Sequence, residues 1–119
     1  MEVLEYCPFC NSELRKGKVI LETDEFYVME PMEPVVSGHV MFIPKSHVED
    51  FATDIKITTM VMYQAIQYAY RAGGDFNLIT SKGEAATQSV MHLHVHLVPR
   101  TPGDSLKIPW GSINQTASV

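Results

Sequence analysis

An α+β domain is the fold class this sequence predicts, and three observations predict it. Short β-prone runs recur along the chain, one long helical stretch interrupts them, and the last run alternates apolar residues with histidines at 92, 94 and 96. The first two runs, residues 18–21 and 26–29, flank Glu22-Thr23-Asp24-Glu25 and read as a hairpin. Pro31, Pro34 and Gly38 then break regular structure, and a third strand at residues 39–43 is stopped by Pro44. Asp54 or Thr58 can cap a helix running through residues 60–70, with Gly73-Gly74 as its C-terminal stop. Residues 76–80 form a further strand candidate, Lys82-Gly83-Glu84 a turn, and residues 90–98 the final strand.

The helix carries more apolar surface than one buried stripe requires. Ile57, Val61, Ala65 and Ala69 suit a core face, while Met60, Met62, Tyr63, Ile66 and Tyr70 widen it. A contact with a second subunit and a helix sunk in its own core explain the excess equally well.

A chain of 119 residues fits one domain, and 45% hydrophobic with 19% charged residues is ordinary for a globular fold. Nine basic against fourteen acidic side chains leave a net charge of −5, which offers no electrostatic footprint for duplex nucleic acid but is compatible with a single nucleotide. No apolar run approaches the ~18 residues of a membrane span, and the acidic start Met1-Glu2-Val3-Leu4-Glu5 has no basic leader pattern. The expectation is a cytoplasmic protein with no membrane partner. In that reducing setting Cys7-Pro8-Phe9-Cys10 reads as a metal clip or redox pair rather than a disulfide. A thioredoxin-like protein is a poor fit, because the βαβ context is missing.

In a strand, residues two apart share a face, so His92, His94 and His96 stand in a row while Leu93, Val95 and Leu97 enter the core. At ~3.3 Å per residue, neighbouring imidazoles originate roughly 6.6 Å apart and cannot all ligate one ion without bending the strand. The row therefore favours a division of labour. A plain solvated face is the bland alternative, for which Thr or Lys would serve better than three groups titrating near neutrality. Upstream, Gly83-Glu84-Ala85-Ala86-Thr87-Gln88-Ser89 supplies turn amides and hydroxyls that suit a phosphate.

The segment from Gln88-Ser89 through His92-Leu93-His94-Val95-His96 to Pro99-Arg100 resembles the signature of the histidine triad (HIT) family of nucleotide hydrolases and transferases. Other segments are similar in the same order: Cys7-Pro8-Phe9-Cys10, Gly38-His39, Ile43-Pro44-Lys45-Ser46-His47, Phe76-Asn77-Leu78, Gly103-Asp104 and Pro109-Trp110. The resemblance spans about residues 4–111. It implies an α+β HIT-like fold: an antiparallel sheet of about five strands, one long helix and a short helix, paired as a homodimer. It implies a single HIT-like domain over residues 1–111, followed by a polar tail at residues 112–119.

The implied chemistry is attack on the α-phosphorus of a nucleoside phosphate derivative, through a nucleotidyl-histidine that water then hydrolyses. By position His94 is the nucleophile, His96 contacts the phosphate or bridging atom, Gln88 and Ser89 bind oxygens and help the leaving group, and His39 orients the triad. Asn77 and Ser81 fall at substrate-binding positions, and Phe9 with Met32 can line a base pocket. The resemblance also implies a structural zinc held by Cys7, Cys10, His47 and His92, which takes His92 out of catalysis. Independently, a neutral imidazole is a competent nucleophile at pH 7, and a two-step displacement suits a site without a water-activating carboxylate.

Three positions depart from the family pattern. Pro31 stands where an Asp or Asn commonly holds the ribose hydroxyls, and proline supplies neither a polar side-chain atom nor an N–H. Glu30 or Glu33 is a possible substitute. Ser81 stands where Asn is common, and Thr87 where Gly is common. The leading expectation is a nucleotide hydrolase or transferase acting on a phosphoramidate, adenylate or dinucleoside polyphosphate; the alternative is a non-catalytic nucleotide-binding or zinc-stabilised interaction module. Trp110 is expected to be a packing anchor.

Overall fold

A computed structural model describes residues 3–15 and 17–109; Trp110 and the tail at residues 112–119 lie outside the described residues. Five strands and one helix follow in the order β1 (Gly17–Glu22), β2 (Phe26–Pro31), β3 (Val40–Pro44), α1 (Ile55–Ala72), β4 (Asp75–Ile79) and β5 (Val95–Arg100). A 3-10 turn at Glu84–Ala86 supplies the expected short helix. All strand pairings are antiparallel, in the spatial order β1-β2-β3-β5-β4, so β1 and β4 are the edges.

The β1–β2 hairpin turns where the sequence predicts it. Thr23 accepts from the Glu25 and Phe26 amides, and its own backbone N–H donates to the Phe26 carbonyl. Asp54 is the cap of α1, accepting from the Ile57 amide at 3.0 Å, and Gly73 closes the helix at φ 70°, a conformation most L-residues resist. Thr58, the other candidate cap, instead donates to the Phe51 carbonyl.

Strand alternation divides the sheet into two faces. Phe26, Val28, Val40, Phe42, Val95 and Leu97 pack under Val61 and Ala65 of α1. On the opposite face Tyr27, Met29, Met41 and Ile43 are covered by the N-terminal loop through Cys7 and Phe9. The register sets Met41 against His96 and Ile79 against His96, which puts the last triad histidine on the loop-covered face.

Two expectations are corrected. The last strand begins at Val95, not residue 90, because the chain bends through Ser89, Val90 and Met91, so His92 and His94 precede the ladder. The helix is not sunk in its own core: Tyr63, Ile66 and Tyr70 are 56%, 57% and 87% exposed, forming a stripe at i, i+3 and i+7 beside exposed Ile55.

Candidate active site and metal cluster

The bend before β5 separates the three histidines. His92 is fully buried. Its Nε2 lies 2.8 Å from the Pro44 carbonyl, which can only accept, so the hydrogen-bond network assigns the proton to Nε2 and leaves Nδ1 bare. That bare nitrogen faces Cys7 Sγ at 3.3 Å, Cys10 Sγ at 3.4 Å and His47 Nδ1 at 3.1 Å, and Cys10 Sγ is also 3.4 Å from His47 Nδ1. All four donor atoms lie within 4.8 Å of one another. A tetrahedral zinc with bonds of about 2.0–2.3 Å needs donor separations of about 3.3–3.8 Å, so the four short pairs already suit such an ion and the widest pair need close by no more than about 1 Å. Neither cysteine is in a disulfide among the described residues, and two soft sulfurs with two imidazoles are a donor set zinc favours.

His94 takes a different partner. Its Nδ1 donates to the His92 carbonyl at 2.8 Å, so Nε2 carries the lone pair. The His94 backbone is held in turn: Thr80 Oγ1 donates to the His94 carbonyl at 2.8 Å, and the Leu93 amide donates to the Val48 carbonyl at 2.7 Å. The Phe9 ring meets His94 edge-on with centroids 5.1 Å apart, and meets His92 at 5.9 Å. Tyr27, buried beneath the loop, donates its hydroxyl to the Phe9 carbonyl at 2.8 Å. The loop carrying two metal donors thus also packs on the middle histidine.

His39 and His96 form a relay of definite direction. The Val35 amide donates to His39 Nδ1 at 3.1 Å, so in the neutral ring the proton sits on Nε2, which is 2.9 Å from His96 Nδ1. His96 accepts there, and its own proton is left on Nε2. The His94 and His96 rings are 5.2 Å apart, one presenting a bare nitrogen and the other an N–H. Burial pushes every one of these imidazoles toward the neutral form. His92 and His96 fall to about 4, the latter helped by repulsion from His94 and His39, and His94 and His39 are lowered by burial as well.

The remaining expected site residues are placed unevenly. Gln88 is buried with its amide spent: Oε1 accepts from the Gly83 amide at 2.8 Å, and Nε2 donates to the Glu49 and Val90 carbonyls at 2.7 and 3.1 Å. Ser89 is exposed and lines a cavity with Cys7, Pro8, His47 and Met91. Asn77 accepts from Arg100 Nη1 at 2.6 Å and lines a mainly apolar cavity of about 260 Å³ with His39 and His96. Ser81 is half-buried just beyond β4, and Met32 is 70% exposed just beyond β2. Pro31 pairs with Gly17 at the end of β2, while Glu30 and Glu33 are exposed. Thr87 adopts φ 69°, the left-handed conformation that glycine tolerates better. Thr80, Tyr27 and the Pro44 carbonyl, which hold the histidines and the loop, carried no signal in the sequence because their partners lie far along the chain.

Comparison with known proteins points to one family. The chain is 37% identical over 104 residues to an uncharacterised HIT-like protein of Mycoplasma genitalium, covering 79% of this chain and 72% of that one. It is 29% identical over 98 residues to an adenosine 5'-monophosphoramidase of Saccharomyces cerevisiae, covering 80% of this chain and 61% of the yeast protein. Among solved structures, a zinc-bound histidine triad family protein of Mycobacterium smegmatis superposes with a TM-score of 0.71 at 33% identity, covering 86% of this chain and 80% of that one. The HIT domain model matches residues 13–103, and the chain belongs to that family.

Proposed function

We propose that this protein is a nucleotide hydrolase that cleaves nucleoside phosphate derivatives at the α-phosphorus through a nucleotidyl-His94 intermediate. One observation carries the reading: His94, its Nδ1 proton held by the His92 carbonyl, presents a bare Nε2 beside the Nε2–H of His96. Nε2 of His94 attacks phosphorus as the bond to the leaving group breaks, and the cationic ring is stabilised through Nδ1–H by the carbonyl it already contacts. His96 donates its Nε2–H to the bridging or a non-bridging atom as charge builds there. Water then displaces the imidazole. Its hydroxyl ends on phosphorus and its proton replaces the one His96 gave to the departing atom, so one water is consumed and both histidines are restored.

His39 sets the tautomer of His96, Gln88 pins the loop, and the loop amides with the Ser89 hydroxyl meet the phosphate. Phe9 and Met32 face the nucleoside, with Asn77 and Ser81 bordering the substrate. Phosphoramidates are the preferred substrates in this reading, supported by the activity named for the yeast relative. Zinc on Cys7, Cys10, His47 and His92 is structural, because all four of its positions are taken by protein donors. Turnover of a fluorogenic adenosine phosphoramidate by the wild type and by His94→Ala tests the proposal. Activity lost only in the variant supports it; binding of AMP with no turnover by the wild type favours a non-catalytic nucleotide-binding module.

The reading extends to a cytoplasmic homodimer, with residues 1–111 as one domain. A Cys-x-x-Cys pair offered to a metal suits a reducing compartment, and no helix among the described residues is long and apolar enough to cross a membrane. The exposed stripe of Tyr63, Ile66 and Tyr70 and the open edge of β4 supply a surface for a second copy. Ile66→Glu is expected to halve the mass measured by light scattering; a wild type that is already monomeric contradicts the dimer.

A further inference from the structure

A cleft of about 370 Å³ on the loop-covered side of the sheet contains none of the triad histidines. It is bordered by Phe9 and Cys10, and the rest of its lining includes Ser12, Arg15, Glu22, Tyr27 and Lys45. The Arg15 guanidinium carbon lies over the Tyr27 ring, 3.9 Å from its centroid. Arg15 Nε is buried and, among the described residues, is the one buried side-chain polar atom without a hydrogen-bond partner. Arg15 also takes no part in the ion pairs found among those residues, Lys45–Glu22 and Arg100–Asp104. A buried charged donor with no acceptor is costly, and such atoms in folded proteins call for an explanation.

Lys45 brings a second cation to the same place. Its Nζ pairs with Glu22 at 2.7 Å, and the Glu22 carboxyl is pulled down first by Lys45 and more weakly by Arg15, so both cations face one neighbourhood. The lining charge is positive on an acidic protein. An arginine fork offers parallel N–H donors that match two oxygens of a tetrahedral oxyanion, a lysine adds a point charge, and the Ser12 hydroxyl can donate a further hydrogen bond.

We propose that this cleft is an accessory anion site for a phosphate or phosphate monoester, held by Arg15 and Lys45 and separate from the triad. Phe9 borders the cleft and also meets His94 at 5.1 Å, so the two anion positions share one ring. The proposal does not depend on the chemistry assigned to His94.

Titration of the metal-loaded protein with inorganic phosphate, followed by amide NMR, tests it. Two groups of resonances are expected to move: residues 9–15 with Lys45, and residues 83–96. Arg15→Gln should weaken the first response about tenfold or more and leave the second in place. Arg15→Lys, which keeps the charge without the fork, should weaken it less. If Arg15→Gln fails to fold, Lys45→Met reports on the same cleft. The proposal is overturned if residues 9–15 do not respond to phosphate, or respond equally in wild type and variants.

Discussion

Truncation of Phe9 tests the coupling between the N-terminal loop and His94. Phe9 is 8% exposed, packs with Cys7, Tyr27 and Met29, and meets His92 and His94 edge-on. A buried Phe→Ala change costs about 3–5 kcal/mol, and the solvent-facing rim of this loop puts Phe9→Ala at the lower end, about 3 kcal/mol. Each edge-to-face pair contributes a further ~0.5–1.5 kcal/mol beyond burial. If one pair's worth is spent on aiming Nε2 of His94, its loss should lower kcat about tenfold. Urea denaturation with an unchanged m-value gives the stability change, and steady-state turnover of an adenosine phosphoramidate separates kcat from KM. Phe9→Leu should recover most of the stability and only part of kcat. A variant that loses the expected stability but keeps kcat within twofold would refute a positioning role and leave Phe9 as packing; a rise in KM alone would make it a wall of the nucleoside pocket.

Three further outcomes are expected. His47→Ala should reduce bound zinc from near one ion per chain by elemental analysis and cost about 3 kcal/mol or more, because metal binding is coupled to docking of the loop; full zinc content in that variant would exclude His47 as a donor. Burial lowers His96 from its ordinary 6.5 to about 4, so between those values the unfolded chain binds more protons than the folded one. The stability tied to His96 is complete above about pH 6.5 and falls as pH drops toward 4, by at most about 3 kcal/mol for a half-buried ring; His96→Gln should flatten that slope in urea titrations. Thr87→Gly should relieve the left-handed backbone at φ 69° and raise stability by about 1 kcal/mol, read as a higher urea midpoint.

Much of the site was legible from residue types and spacing because its signals are local. Alternation through Leu93, Val95 and Leu97 predicts one face for the histidines, and Asp54 and Gly73 mark the ends of α1 within a turn of where they act. What escaped depends on contacts across the chain. The segment that brings His92 to the cysteines is held by the carbonyls of Pro44 and Val48 and by Thr80, and no local pattern near residue 92 reports them. Gln88 illustrates the same limit: its identity suggests a phosphate ligand, yet its amide is committed to Gly83, Glu49 and Val90. The ambiguity of the α1 surface was resolved only by the sheet, which covers Val61 and Ala65 and leaves Tyr63, Ile66 and Tyr70 in solvent.

The central claim is that Nε2 of His94 forms a bond to phosphorus. Acid-free quenching of a single turnover with an adenosine phosphoramidate labelled at the α-phosphate, followed by peptide mapping, tests it most directly. Label is expected on the peptide containing His94, lost in His94→Ala together with turnover while the fold is retained. Wild-type turnover by His94→Ala, or label confined to His96, would contradict it.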